Sequence, residues 1–303
     1  MDVDISYLFK GDGKESAPIQ TNIKGIIPNL SPIAAIKWLV SRATTVTGSP
    51  FFAYASMHDN NLRLGNLDCM LSQKAFNSKL PYTYNPANVS NADTQTEVEK
   101  TFTIKALKTS KMANTLKLIQ EGAVTSDMCN TNLNTGQIFN QHFSVRDTLD
   151  KLSGHGIIGE NQNVFDTEFL MDENAVDTFN AQNIHTVTSS GTYGRYKSYH
   201  DEFDATKFKK KLESKALHNH LYKNMMNVVV EGAGFIVSKA SVGDIVNLKI
   251  VNDNTEQDKN ASEEDLIDKA KSGDCIIYDT RHTFSGTQHT VSINVCKLER
   301  LSQ

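Results

Sequence analysis

Residues 225–303 constrain the fold most, because their apolar side chains alternate with polar ones in several short segments. One such segment follows a Gly243-Asp244 turn, and two more lie further along. Their in-phase apolar residues are Val246, Leu248 and Ile250, then Ile276, Tyr278 and Phe284, then Val291, Ile293 and Val295. A period of two predicts half-buried strands. With the apolar run Val228-Val229-Val230, these segments predict four strands, a long acidic loop over 252–274 and a small antiparallel barrel.

The segment before this region has the clearest helical pattern in the chain, over residues 204–224 with Asp204 as the N-cap. Its apolar side is formed by Phe208, Leu212, Ala216, Leu217, Leu221 and Met225. Its other side carries Lys207, Lys209, Lys210, Lys211 and Lys215. The pattern predicts a helix about 30 Å long with one buried stripe and one solvated lysine face.

The first 90 residues have a different character, since all six prolines lie at or before Pro86. Ser31-Pro32 predicts the start of a helix, with a buried stripe formed by Ile33, Ile36, Leu39, Val40 and Ala43. A strand is expected over 51–55, followed by a turn at 58–61 and a second strand through Leu62, Leu64 and Leu67. Residues 81–96 are rich in Pro, Asn, Ser and Thr, which predicts a linker or a long loop.

The middle of the chain gives weaker signals. Residues 101–104 alternate as a strand does, and short helices are expected near 111–120 and 144–152. The stretch 153–200 has no assignable pattern, although Tyr193, Tyr196 and Tyr199 suit a subunit contact as well as a loop.

Composition excludes several classes of protein. The chain has 39% hydrophobic and 22% charged residues with a mean hydropathy of −0.40, as folded globular proteins do. It has no apolar run of membrane-spanning length, and its first residues predict no secretory signal. Its four cysteines lie far apart, which predicts reduced thiols. The net charge of −4 equals that of residues 225–303 alone, so we expect no specific nucleic-acid binding.

The histidines and carboxylates were the candidates for chemistry. His218 and His220 lie two apart on the predicted helix, so they point to different sides and predict surface or interface roles. His282 and His289 fall on neighbouring strands and could approach each other, but a third metal ligand is missing. His200-Asp201-Glu202 more simply starts the following helix. We found no glutamate in an apolar sequence context, no nucleophile elbow and no phosphate-binding loop. We therefore predict no enzyme, and no catalytic, cofactor-binding or metal-binding residues.

Two stretches resemble the central baseplate hub proteins of contractile-tailed bacteriophages. The first comprises Ser31 to Ala43 (SPIAAIKWLVSRA) and Ser49 to Tyr54 (SPFFAY), which is similar to the family's helix with Trp-Leu and Arg-Ala before a Phe-Phe-x-Tyr strand. The second comprises Leu217 to Tyr222, Val242 to Leu248 and Ser272 to His282, which is similar to the closing barrel of the family. Residues 116–127 match more weakly. The order and spacing of these motifs carry the resemblance.

The resemblance implies a β-rich α+β fold with a small α/β domain over 1–90. A tube-type antiparallel β-barrel would follow, discontinuous over 95–132 and 225–303, with an inserted segment 133–224 that carries the long buttressing helix 204–224. Family members usually carry a further barrel ahead of the helix–strand segment. Too few residues precede it here, so that barrel would be absent, shortened or supplied by another chain.

The same resemblance implies a structural virion protein. It would be a homotrimeric ring in the phage tail baseplate, assembled in the host cytoplasm, that links the tail tube to the central spike and surrounds the DNA exit channel. Its expected partners are other copies of itself, the spike, and the tail tube and baseplate wedge proteins. Two alternatives stay open at this point: a virion-associated cell-wall hydrolase, and a host-receptor-binding tail module.

Overall fold

The structure is a computed structural model of the chain. It describes residues 10–11, 14–15, 27–41, 43–45, 48–56, 58, 62–85, 100–110, 125–132, 136, 138–154, 182–188, 205–222, 225–251, 267–269 and 271–297.

Strands dominate the regular structure of these residues. They are β1 (Lys10–Gly11), β2 (Lys14–Glu15), β3 (Phe51–Ala55), β4 (Leu62–Asn66), β5 (Tyr82–Tyr84), β6 (Ala106–Ser110), β7 (Thr125–Asn132), β8 (Ile138–Ser144), β9 (Gln182–Thr188), β10 (Met225–Glu231), β11 (Ile245–Ile250), β12 (Gly273–Ser285) and β13 (Gln288–Cys296). The helices are α1 (Pro32–Val40), α2 (Leu67–Leu71), α3 (Val145–Gly154), α4 (Ala205–Leu221) and α5 (Gly232–Val237). The prediction of a β-rich α+β fold is confirmed.

A six-stranded sheet in the order β5-β11-β12-β13-β10-β6 is the largest unit of the fold. The pairing of β5 with β11 is parallel, and every other pairing in this sheet is antiparallel. The four strands predicted within residues 225–303 are all present, at β10 to β13. They form the middle of the sheet, and strands from before residue 111 form its two outer members.

A short segment between β5 and β6 brings the two ends of this sheet together. The N–H of Ile104 donates to the Thr83 carbonyl at 2.9 Å, and the N–H of Lys105 donates to the Val229 carbonyl at 2.8 Å. Thr83 belongs to β5 at one end of the sheet, and Val229 belongs to β10, which pairs with β6 at the other end. The sheet is therefore nearly closed and barrel-like.

Alternation along the strands builds the interior of the barrel. Val291, Ile293 and Val295 of β13 are each at most 1% exposed, as the period of two predicts. In β12 the register shifts between Ile277 and Asp279, because a β-bulge adds one residue to this strand. As a result, the apolar phase of β12 changes after Ile277.

A second core lies on the other side of the barrel wall. Leu212, Leu217 and Leu221 of α4 belong to one buried cluster with Met128 and Phe143 of β7 and β8. The same cluster includes Ile245, Ile276 and Cys296 of the six-stranded sheet. A helix over Ala205–Leu221 lies within the range predicted as 204–224, whereas Asp204 and the side chain of Phe208 lie outside the described residues.

A separate three-stranded sheet has the order β8-β7-β9. Strand β7 pairs antiparallel with β8 and parallel with β9. The prediction assigned residues 95–132 to the barrel, which is wrong for β7, because its strand partners are both in this smaller sheet. Strand β9 also supplies structure in the stretch 153–200 that the sequence left unassigned.

The predicted buried stripe of α1 is wrong. The helix begins after Ser31 with Pro32 as its first residue, as predicted, but none of its residues is buried. Ile33 is 70% exposed and Leu39 is 38% exposed. The helical period was read correctly, but the described residues place no core against this face.

The linker or long loop predicted over 81–96 also needs correction at its start. Tyr82–Tyr84 forms β5, and its parallel pairing with β11 makes it part of the six-stranded sheet. Leu67, expected to continue a strand, begins α2, where Asn66 accepts the N–H of Cys69 as an N-cap. The proposed boundary near residue 90 stays a prediction, although β5 joins the 1–90 segment to the barrel.

Several expectations lie outside the described residues: the helix at 111–120, most of the loop 252–274, His200-Asp201-Glu202, and the tyrosines at 193, 196 and 199. Among the residues that are described, no helix has the length and apolar character needed to cross a membrane.

Candidate functional site

The long β12–β13 hairpin has an open outer edge. Strand β11 pairs with Gly273–Ile276 only, and the next residue, Ile277, exchanges backbone hydrogen bonds with Gly243 and Asp244. Beyond Ile277, β12 pairs with β13 on one side and with no other strand of the described part of the chain. The open edge, residues 278–285, is about 26 Å long at 3.3 Å per residue. A strand edge of this length offers unpaired backbone groups to another chain.

A pair of histidines crosses this hairpin. His282 Nδ1 and His289 Nε2 are 3.1 Å apart, at hydrogen-bond distance, so the predicted approach of the two side chains is confirmed. The ring centroids are 5.3 Å apart and the ring planes differ by 16°. The centroid distance exceeds the nitrogen distance by about two ring radii, so the two nitrogens lie on the line between the centroids. The rings therefore meet head-on, as an N–H···N hydrogen bond requires.

Close packing holds both rings in place. Phe284 stacks on His289 with centroids 4.2 Å apart and planes 6° apart, and Phe235 of α5 packs its edge against His282 at 5.7 Å. Gly232, the first residue of α5, faces His289 so closely that a Cβ there would overlap the imidazole ring. Reorienting either ring would thus require movement of its neighbours.

The head-on geometry favours a shared proton over a metal ion. A chelated metal would have to lie off the line between the two nitrogens, on the lone-pair axes of both rings, and here each lone-pair axis points at the other nitrogen. The described residues contain no group of three His, Cys, Asp or Glu side chains that could hold a metal. Burial, the facing His289 and the nearby His58 lower the pKa of His282 from its ordinary value.

A second polar site lies beneath α4. Glu213 is 1% exposed, and its two carboxylate oxygens lie 3.0 Å from Lys151 Nζ of α3 and 3.1 Å from Lys210 Nζ of the same helix. The loop at Gly48 covers the carboxylate, because a Cβ at that glycine would lie 2.5 Å from Glu213 Oε2. The sequence placed Lys210 on a solvated face, which is wrong, since it is 24% exposed and neutralises a buried charge.

Sequence reasoning missed Glu213 for a physical reason. Its burial depends on the loop at Gly48, which is distant in sequence, and no local pattern indicates that contact. The one available signal was its position, since Glu213 is next to Leu212 in the apolar stripe. A carboxylate that is ion-paired to two lysines is suited to holding α3 and α4 together.

His218 is half-buried, although it was predicted to lie at the surface or an interface. Its ring stacks on Phe52 at 5.5 Å and meets the edge of Tyr222 at 4.5 Å, and burial lowers its pKa. It joins the β3–β4 hairpin to α4 rather than forming a site with His220.

The chain was also compared with known proteins. No protein-family model matches it, and no curated protein matches it significantly.

Proposed function

We propose that this chain is a structural virion protein: the ring-shaped baseplate hub of a contractile phage tail. In this proposal three copies form a ring that joins the tail tube to the central spike and surrounds the DNA exit channel. The ring assembles in the host cytoplasm, and baseplate wedge proteins contact its outer side. The motifs that resemble baseplate hub proteins support this identity, and the open edge of β12 is the observation that supports the ring.

The open edge supports a ring because the two ends of the sheet are tied together, whereas this edge of β12 is not covered by the described residues. The segment at Ile104 and Lys105 ties the two ends of the sheet together, so the barrel is nearly closed there. The edge at residues 278–285 has no such cover from the described residues. Long uncovered edges favour pairing with another chain. When the edge meets a different surface of the next copy, the contact is head-to-tail, and such contacts form a ring where the rotation between copies closes.

The finer architecture that we propose follows the same logic. The barrel is a discontinuous tube-type domain, because the strands on either side of residues 111–224 share one sheet. Helix α4 is its buttress, since Leu217 and Ile276 lie in the same buried cluster on the outer wall. A rigid wall of this kind suits a scaffold that transmits force along a tail.

The charge of the barrel region fits a channel for DNA. Residues 225–303 carry 8 basic and 12 acidic side chains. A basic lining would hold duplex DNA through release of its counterions, whereas an acidic surface leaves the duplex free to pass.

The mass of the purified chain tests the ring. Three copies of a 33.6 kDa chain give about 100 kDa, and light scattering at a protein concentration of tens of micromolar should report that mass. Electron microscopy of the same sample should show three-fold rings.

A charge placed on the open edge tests whether the ring uses it. Thr283 is exposed on this edge, so Thr283→Glu should leave the fold intact and shift the mass toward one copy. Asn140→Glu adds the same charge at an exposed position of the separate three-stranded sheet and should leave the trimer unchanged. A wild-type chain that stays monomeric with its spike and tube partners contradicts the proposed function. A Thr283→Glu variant that stays trimeric shows that the ring forms elsewhere.

A further inference from the structure

We propose that His282 and His289 form a one-proton lock on the outer part of the β12–β13 hairpin, residues 279–292, which opens when both imidazoles are protonated. The lock is a property of the single chain. Its effect on assembly rests on the proposed function, because the same residues carry the open edge of β12.

The chemistry of the facing nitrogens sets the limit of one proton. In the neutral pair, either His282 Nδ1 or His289 Nε2 donates its N–H across the 3.1 Å gap, and the other accepts. A first additional proton binds an outward-facing ring nitrogen, so the bond survives as a stronger, charge-assisted one. A second must bind the accepting nitrogen itself. Two N–H groups and two positive charges would then face each other, and the contact becomes repulsive.

The packing around the pair converts this repulsion into movement of the backbone. His289 is confined between the Phe284 ring and Gly232, and His282 is confined by Phe235. Turning either ring within its own site would displace one of these neighbours. The strain is relieved when β12 and β13 separate at their outer ends, where the described residues place no further strand beside β12.

The charged groups around the pair do not neutralise the two imidazoles. His58 adds a further positive charge in acid and disfavours protonation of His282. Glu231, at the start of α5, is already paired with Lys105. On β12 itself, Asp279 accepts a hydrogen bond from Asn294, and Arg281 is exposed on the alternate face. These contacts leave the imidazoles without a carboxylate partner in the described structure, so their repulsion is not neutralised locally.

The direction of the pH effect follows from linkage. The pKa of His282 is lowered in the folded protein, so the folded state binds fewer protons than the unfolded chain. The second proton therefore binds the unfolded chain more readily than the folded one, so the hairpin loses stability as the pH falls below the ordinary histidine pKa of about 6.5.

Amide hydrogen exchange of peptides covering 279–292, corrected for the intrinsic pH dependence of exchange, tests the lock. Between pH 7.5 and 5.0 we expect local opening to increase about fivefold or more, the factor that corresponds to losing one hydrogen bond. His282→Gln keeps a neutral hydrogen-bonding side chain and should abolish the acid step. His142→Gln, which changes a histidine of the other sheet, should retain it. A wild-type chain with no acid step, or a step that persists in His282→Gln, overturns the proposal.

Light scattering at the same two pH values distinguishes failure of the proposed lock from failure of the proposed ring. If a monomeric chain shows the acid step, the lock holds and the proposed ring fails. If a trimer shows no step, the ring holds and the lock fails. A trimer whose subunits dissociate together with the step supports both.

Discussion

The ion pairs of Glu213 predict an unusual pattern of stability changes. We consider Lys151→Ala, Lys210→Ala, the double lysine variant, and Glu213→Gln in each background. Lys151 donates a hydrogen bond to Glu213 Oε1, and a hydrogen bond to a charged group contributes about 1.5–3 kcal/mol. Lys210 pairs with Oε2 by charge alone, without hydrogen-bond geometry. Because the two lysines are 44% and 24% exposed, solvent screening reduces that contribution. We therefore expect Lys151→Ala to lower the free energy of unfolding by about 1–2 kcal/mol, and Lys210→Ala to lower it by about 1 kcal/mol.

Removing both lysines strands a carboxylate that is 1% exposed. An uncompensated buried charge costs about 3–5 kcal/mol, so the double variant should lose at least about 4 kcal/mol, more than the sum of the single losses. The effect of Glu213→Gln on the free energy of unfolding should then have opposite signs in the two backgrounds. The substitution should destabilise the wild type by about 1–2 kcal/mol, and it should stabilise the double lysine variant by a similar amount because it removes the stranded charge.

Urea denaturation measures all of these values, provided that the dependence of unfolding free energy on urea stays the same among variants. A change of less than about 0.5 kcal/mol in each lysine variant would contradict this prediction. So would a Glu213→Gln variant that is destabilising in both backgrounds or stabilising in both. Either result would mean that the carboxylate is solvated rather than buried between the lysines.

Two further substitutions, each with a matched control, test the packing. Leu212→Ala should destabilise the protein by about 2–5 kcal/mol in the same urea assay, because it deletes a side chain buried in the second core. Lys215→Ala, at an exposed position of the same helix, should cost less than about 1 kcal/mol. Equal losses in the two variants would mean that α4 faces the other way. Gly232→Ala should cost about 2 kcal/mol or more in thermal unfolding, because its Cβ would overlap His289. Gly234→Ala, whose Cβ would meet Thr101 at 3.1 Å, should change stability by less than about 1 kcal/mol, and a Gly232→Ala variant as stable as this one would show that the ring at His289 is loosely held.

The strands of the barrel could be predicted because their signal is local. In β11, side chains that alternate between core and surface follow directly after Gly243, whose φ of 91° permits the turn. A period of two needs no knowledge of the rest of the chain. The same holds for the start of α1, where Ser31 and Pro32 suffice to indicate a helix.

Features that depend on distant contacts could not be read in this way. The stripe of α1 has the correct period, but whether it is buried depends on what packs against it, and Ile33 is exposed. Strand β5 is only three residues long, and its partner β11 lies more than 150 residues further along. Among the candidate site residues, the approach of His282 and His289 could be predicted from the sequence because a hairpin brings them together. The burial of Glu213 could not be predicted, because its environment comes from α3 and the loop at Gly48.

The order of strands in the six-stranded sheet has a consequence for synthesis of the chain. Strands β5 and β6 leave the ribosome early, but β10, the neighbour of β6, begins roughly 115 residues after β6 ends. At about 5–20 residues per second, β6 waits on the order of ten seconds for its partner. During that time its apolar face and backbone edges are available to other nascent chains. Contacts between residues so far apart in sequence also form slowly once they can form at all. High expression of this chain should therefore favour misassembly before the barrel closes, and slower translation or chaperone binding to the emerging segment should favour the native sheet.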